Sequence, residues 1–161
     1  MKFYDPHLDN EVQYARHALS IDENRADFAI VKWGSKSNKG PPREDSDPDW
    51  LQQIGFAGNH SDVGGSYLEN ESRLSDISLE WMTNAAMNLP DETGPTGHGI
   101  KINPLFLQVR PDPLGPQHDV REPPWLWIFR WPKGLRHSDQ QAVLHPSVYK
   151  RAAAECVPHF Y

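Results

Sequence analysis

The chain has 161 residues, a net charge of −6 and 37% hydrophobic residues, with 15 prolines and 11 glycines. This length fits one domain, and the proline and glycine content predicts long loops. The acidic balance disfavours nucleic acid as the main partner, and a single cysteine excludes a disulfide framework or a multi-cysteine metal site. No apolar run is long enough for a transmembrane segment, and no cleavable secretory leader is visible.

The first part of the chain is predicted to be helical. A short helix is expected over residues 9–18, because three apolar residues are spaced three and four apart: Val12, Ala15 and Leu19. Residues 20–23 have the S-x-x-E spacing of a capping box, which predicts a second helical turn toward Phe28. A local ion network of small energetic worth is expected from Asp22, Glu23 and Arg25.

The next segments are predicted to be extended, apart from one long loop. Residues 28–33 (FAIVKW) predict a short strand. Residues 34–50, rich in charged residues and prolines, predict a surface loop. Residues 51–57 (LQQIGFA) predict a buried strand that ends at a glycine-rich turn.

The second half combines helices with proline-rich stretches. Residues 74–89 carry an apolar stripe that predicts a helix with Ser75 as its N-cap, and residues 148–156 have a further helical pattern. Residues 125–131 (WLWIFRW) are either a buried strand or an apolar rim. Two strand-like segments that are each followed by a helix predict an α/β fold.

The segment IGFAGNHSDVGGSY, residues 54–67, is the strongest candidate for a functional site. A strand that runs into a glycine-flanked His-Ser-Asp resembles the strand ends at which α/β sheets present catalytic side chains. Asp62 is suited to orienting a histidine, although a tight turn in which Asp62 only accepts backbone hydrogen bonds is an equally open interpretation. Four further residues are assigned to binding or to shaping the loop: His60, Ser61, Gly64 and Gly65.

His145 is the second candidate, since it lies between an apolar stub and a Pro-Ser helix start, where a general base can be held in a fixed orientation. A metal site built from His60, Asp62 and another histidine is a weaker alternative, because no metal-binding spacing such as H-E-x-x-H supports it. No phosphate-binding motif of the form G-x-x-x-x-G-K-[ST] or G-x-G-x-x-G occurs either. We therefore expect no metal and no cofactor.

Four segments in order resemble a known family. These segments are ARHALSIDENRADF (residues 15–28), IGFAGNHSDVGGSY (54–67), LSDISLEWM (74–82) and LHPSVYKR (144–151), with a weaker element at Gln117-His118-Asp119. The family is the uncharacterised α/β-hydrolase domain family that includes type VI secretion phospholipase effectors. Its members read RHA-x-x-x-DE-x-R, HSDVGGGY, LSDI-x-x-x-WM and H-x-SV-x-x-R.

The resemblance implies a serine hydrolase with a Ser-Asp/Glu-His triad that acts on ester bonds and, in the effectors, on phospholipids. By motif position, Asp62 corresponds to the triad acid and His145 to the triad base. Family members carry D-G-T-x-N and the nucleophile elbow GFSRG before the RHA motif, and neither occurs in this sequence. No serine here lies in G-x-S-x-G; Ser66 has Gly64 before it but Leu68 after it.

The resemblance therefore predicts that residues 1–161 form a single domain, the C-terminal part of an α/β-hydrolase-like catalytic domain with a partial sheet, flanking helices and long proline-rich loops. Such a half is expected to be inactive alone, to act on an ester or phospholipid only when an N-terminal half completes it, and to self-associate through an exposed sheet edge. It would reside in the cytoplasm or be delivered by a signal-independent secretion system. The alternative is a non-catalytic interaction domain that binds a partner through Trp125–Trp131.

Overall fold

The computed structural model describes residues 7–9, 11–25, 28, 30–35, 50–91, 93–94, 96–119, 143–155 and 159–160. The strands are β1 (His7–Leu8), β2 (Ala15–Ser20), β3 (Gly34–Ser35), β4 (Leu51–Phe56), β5 (Gln117–His118), β6 (Val143–Leu144) and β7 (His159–Phe160). The helices are α1 (His60–Gly64), α2 (Arg73–Met87) and α3 (Pro146–Ala152), with a short 3₁₀ helix at Glu69–Glu71.

The central element is a parallel three-stranded sheet in the order β2-β4-β6. The pairing of β2 with β4 extends over six residues, from Ala15 opposite Leu51 to Ser20 opposite Phe56. Strands β1 and β3, and strands β5 and β7, form two further parallel pairs. The predicted α/β class is therefore confirmed: the described residues form a three-stranded parallel sheet and three α-helices.

The helix predicted over residues 9–18 is wrong, because residues 15–20 form strand β2. Ala15 and Leu19 are both buried, and a spacing of four residues keeps them on one face of a strand as well as on one face of a helix. The hydrogen bonds to β4 along six paired residues decide between the two. Tertiary pairing here overrides the local pattern.

The capping box predicted at residues 20–23 is also wrong. The Ser20 hydroxyl lies 3.3 Å from Nδ1 of His60 instead of capping a helix, and the backbone N–H of Ile21 donates to the carbonyl of Phe56. The chain thus stays alongside β4 after β2 ends. The Glu23 carboxylate accepts a hydrogen bond from the backbone N–H of Arg25, which closes a tight turn there.

The strand predicted over residues 28–33 is not formed by the described residues of that segment. The amide side chain of Gln53 instead bonds both backbone groups of Trp33, accepting from its N–H at 2.8 Å and donating to its carbonyl at 3.0 Å. A side chain therefore replaces the pairing that a neighbouring strand would supply. Of the predicted loop 34–50, Gly34–Ser35 forms β3, Trp50 is buried in the core, and residues 36–49 lie outside the described part.

The buried strand predicted at residues 51–57 is confirmed as β4, and the helix predicted at residues 74–89 is confirmed as α2. Ser75 is not the N-cap of α2, because the helix starts at Arg73 and Ser75 is buried within it. One core cluster joins the sheet to α1 and α2 and consists of Phe56, Val63, Leu74 and Ile77. A second lies at the start of the sheet and consists of Ala15, Trp50 and Leu51.

The helix predicted at residues 148–156 starts and ends earlier than expected. It runs over Pro146–Ala152, with Pro146 in the first turn, where its missing N–H costs no hydrogen bond. Cys156 and the aromatic segment Trp125–Trp131 lie outside the described residues. The interaction surface predicted for that segment stays a prediction.

Candidate acid–histidine site

The candidate site lies where the three strands of the central sheet end. Because the strands are parallel, their carboxyl ends share one edge of the sheet. Glu23 follows β2, His60 and Asp62 follow β4, and His145 follows β6 directly. Acidic and imidazole side chains are thus concentrated at the edge where α/β proteins place functional groups.

The first acid–histidine pair joins Glu23 to His60. Oε2 of Glu23 lies 2.8 Å from Nδ1 of His60, and Arg25 binds both carboxylate oxygens at 2.8 Å and 2.7 Å. The Glu23 side chain is 2% exposed, whereas the His60 side chain is 46% exposed. Of the predicted ion network, the pair of Glu23 and Arg25 is present and buried, whereas the carboxylate of Asp22 accepts from the backbone N–H of Gly58.

The charge state of Glu23 fixes the tautomer of a neutral His60. Burial of the Glu23 carboxylate favours its neutral form, but hydrogen bonds from Arg25 and His60 outweigh burial and hold its pKa at about 2, below the ordinary 4.5. An ionised carboxylate can only accept, so Nδ1 of His60 carries the proton. Nε2 then holds the lone pair of the ring, which is the arrangement of a histidine that acts as a general base.

A pocket of about 650 Å³ adjoins this pair, and the His60 ring forms part of its wall. Most of the lining is apolar and comes from Ala18, Leu19, Ile30, Val31, Trp33, Val63, Leu79 and Met82. The polar lining residues are His17, Ser20, His60, Ser75 and Ser78. An apolar cleft with a few convergent polar groups is the usual form of a small-molecule site.

The second acid–histidine pair joins Asp62 to His118. Oδ1 of Asp62 lies 2.7 Å from Nδ1 of His118, while Oδ2 accepts from the backbone N–H groups of His118 and Asn59. The Asp62 side chain is 1% exposed and that of His118 is 12% exposed. Asp62 thus contacts a histidine and also accepts backbone hydrogen bonds, and its role as a triad acid stays a prediction.

The surroundings of the second pair tie α1 to β5. The Asn59 side chain caps α1, donates to the carbonyl of His118 at 2.9 Å and donates to the hydroxyl of Tyr67 at 3.0 Å. The ring of Tyr67 stacks on that of His118 with their centroids 3.6 Å apart, and Nε2 of His118 is buried. Burial raises the pKa of Tyr67. This pair lies in the protein interior, in contrast to the half-exposed His60.

His145 is placed differently from either pair. Its backbone N–H donates to the carbonyl of Gly55 at 2.9 Å, which fixes it at the end of β6, and its ring stacks on Phe56 at 4.9 Å. Nδ1 accepts from the backbone N–H of Ser147 and thereby caps α3. Burial lowers the pKa of His145. Among the described contacts, neither Asp62 nor His145 bonds the other, so their pairing in a triad stays a prediction.

Glycines shape the turn between β4 and α1. Gly58 has φ of +103°, and a Cβ there would lie 2.3 Å from Cβ of Asp62, so only glycine fits. Gly65 has φ of +77°, as its motif predicts, whereas Gly64 is helical and does not need positive φ. Gly64 and Gly65 both line the pocket, and Ser61 lies in the first turn of α1, where its N–H donates to Asn59.

Within the residues that the structure describes, no group of three or more His, Cys, Asp or Glu side chains is arranged to hold a metal ion. His60 and Asp62, the two residues of the alternative metal site, contact different partners, Glu23 and His118. No described helix has the length and apolar character needed to cross a membrane.

A parallel sheet whose carboxyl edge carries two acid–histidine pairs defines an α/β protein with a candidate acid–base site. The family model described as "T6SS, Phospholipase effector Tle1-like, catalytic domain" matches residues 1–85. That is more than half of the 161 residues, so the chain belongs to this family, and the resemblance to type VI secretion phospholipase effectors is confirmed. No curated protein and no solved structure matches the chain.

The matched residues contain β2, β4, α1 and most of α2, and with them Glu23, His60 and Asp62. His118 and His145 lie beyond the match. The pair whose histidine lines the pocket, Glu23 and His60, is therefore inside the part of the chain that matches the family's catalytic domain. Membership of a T6SS effector family also fits secretion by a system that needs no cleavable leader.

Proposed function

We propose that this chain supplies the acid and the base of a serine-hydrolase site that cleaves ester bonds of phospholipids, on a partial α/β-hydrolase sheet. His60 is the general base and Glu23 is the residue that orients it. The observation that carries this proposal is the 2.8 Å contact between an ionised, buried carboxylate and Nδ1 of a half-exposed histidine in the pocket wall. Family membership supports the substrate class.

The chemistry follows from the proton positions. With Nδ1–H bonded to Glu23, Nε2 of His60 accepts the proton of a serine hydroxyl as its oxygen attacks the ester carbonyl. The imidazolium that forms is stabilised by the negative charge of Glu23. It then donates the same proton to the departing alcohol oxygen, and a water molecule repeats the sequence on the acyl-serine.

Two other residues were assigned by motif position to the acid and base roles, Asp62 and His145. Asp62 accepts three hydrogen bonds, from the backbone N–H groups of Asn59 and His118 and from the ring of His118, so the histidine that it orients is His118. Nδ1 of His145 accepts a backbone hydrogen bond, whereas a triad base donates from that nitrogen to its acid. Both features favour Glu23 and His60 for catalysis and give Asp62 a positioning role that joins α1 to β5.

The nucleophile of this proposal does not come from the serines of this sequence. None lies in G-x-S-x-G, whose glycines let a serine occupy the strained turn between a strand and a helix. Among the described residues, the Ser20 hydroxyl contacts His60, but it approaches Nδ1, the nitrogen already bonded to Glu23, and Ser20 is 4% exposed. We therefore propose that the 161-residue chain does not hydrolyse esters by itself.

Labelling with a fluorophosphonate probe tests this proposal. We expect no covalent adduct on the purified chain by intact-mass spectrometry and no hydrolysis of a phospholipid ester above the rate of the His60→Ala variant. The matched control is Ser20→Ala, which removes the hydroxyl that lies 3.3 Å from Nδ1 of His60. Stoichiometric labelling that Ser20→Ala abolishes would overturn the absence of a nucleophile.

A further inference from the structure

The turn at residues 103–106 exposes two large apolar side chains. Leu105 is 79% exposed and Phe106 is 85% exposed, the highest values among the large hydrophobic residues described. Transfer of exposed leucine and phenylalanine side chains from water into an apolar phase is favourable, because it removes apolar surface from water. Two adjacent ones at the tip of a turn form a compact apolar surface.

This turn is held in shape by its own hydrogen bonds. The carbonyl of Asn103 accepts from the N–H of Phe106 at 3.0 Å, and its side-chain oxygen accepts from the N–H of Leu105 at 2.9 Å. Local side-chain bonding of this kind fixes a turn without help from the rest of the fold. The two apolar side chains are therefore presented on a preformed tip, at little entropic cost on binding.

Both ends of the segment are tied to α2, the helix that contributes Ser75, Ser78, Leu79 and Met82 to the pocket. At one end the N–H of Ile100 donates to the carbonyl of Ala86. At the other end the N–H of Arg110 donates to the carboxylate of Asp76 at 3.0 Å. The tip is thus attached to the same element that builds one wall of the candidate site.

The charge of the segment is opposite to that of the whole chain. Residues 100–111 contain two basic residues, Lys101 and Arg110, and no acidic residue, although the chain carries a net charge of −6. Both basic residues are exposed. An apolar tip with basic flanks fits a lipid surface with anionic headgroups, since the side chains enter the acyl boundary while the cations meet the phosphates.

We propose that Leu105 and Phe106 dock the chain on an anionic lipid bilayer, with Lys101 and Arg110 against the headgroups. This inference rests on the proposed phospholipid substrate, because a site that acts on membrane lipids has to be brought to the interface. The exposed apolar surface that such a function requires is then supplied by this turn.

Flotation with vesicles tests the docking surface. The vesicles are made of phosphatidylcholine with about one third phosphatidylglycerol, both as diether lipids, so binding is measured without an acyl ester to cleave. We expect the wild-type chain to float with them, to bind less as salt is raised, and to float weakly with pure phosphatidylcholine. The double variant Leu105→Ser/Phe106→Ser is expected to bind at least about tenfold more weakly.

The matched control is Leu68→Ser, which replaces a side chain of similar exposure, 70%, that precedes the acidic residues Glu69 and Glu71. It is expected to bind as the wild type does, and both variants are expected to keep the wild-type unfolding midpoint, since the replaced side chains are exposed. Failure of the wild type to bind anionic vesicles, unchanged binding by the double variant, or equal loss in Leu68→Ser would each overturn the docking proposal. None of these results bears on the acid–base pair, which labelling and hydrolysis test separately.

Discussion

Replacement of Asp62 with alanine is expected to lower the free energy of unfolding by about 3–5 kcal/mol. The variant leaves the backbone N–H groups of Asn59 and His118 and the Nδ1–H of His118 without their acceptor in a buried site. These bonds also join α1 to β5, so their loss loosens the turn that positions the pocket wall. Urea denaturation followed by circular dichroism measures the change.

Asp112→Ala is the matched control, because Asp112 is exposed and its carboxylate accepts a local hydrogen bond from the backbone N–H of Leu114. It should cost no more than about 1 kcal/mol. Equal destabilisation by the two variants would contradict a special role for the buried Asp62 network.

Glu23→Gln is expected to cost about 2–3 kcal/mol at neutral pH, because it removes the negative charge that pairs with Arg25 and His60 in a site where Glu23 is 2% exposed. Glu69→Gln makes the same chemical change at a side chain that is 71% exposed and pairs with Arg73, and it is expected to cost less than about 1 kcal/mol. Denaturant titrations of the three proteins compare these costs.

The loss of stability caused by Glu23→Gln should become smaller as the pH is lowered. The folded-state pKa of Glu23, about 2, lies below its ordinary value of 4.5, so the stabilisation is complete above that ordinary value and is lost as pH falls toward 2. The difference between wild type and Glu23→Gln should therefore shrink as pH is lowered from 5 to 2. A difference that stays constant over this range would show that the charge of Glu23 does not stabilise the fold.

The elements that the sequence predicted well are those in which local pattern and tertiary environment agree. Strand β4 begins and ends with buried apolar residues and is followed by a glycine-rich turn, and α2 has a continuous apolar stripe that packs on the sheet. Strand β2 was missed because the spacing of Ala15 and Leu19 suits a helix as well as a strand. The non-local pairing with β4 decided the outcome, and a local pattern carries no information about it.

The site was predicted only in part, because its residues are also brought together by non-local pairing. The motif around His60 and Asp62 was located, but their partners lie 37 and 56 residues away, at Glu23 and His118. With β2 misread as a helix, nothing in the sequence placed Glu23 at the carboxyl edge of the sheet beside β4. Recognition of residues 15–20 as a strand would have brought Glu23 next to His60 by the register of a parallel sheet.

The tautomer of His60 is the most direct test of the claim that Glu23 orients it as a base. Long-range ¹H–¹⁵N NMR correlations of the chain, recorded at a pH where the ring is neutral, distinguish a proton on Nδ1 from one on Nε2. We predict that Nδ1 is protonated in the wild type and in Glu69→Gln, and that Glu23→Gln moves the population toward the Nε2–H form. A wild-type ring protonated on Nε2, or a tautomer unchanged by Glu23→Gln, would contradict the account.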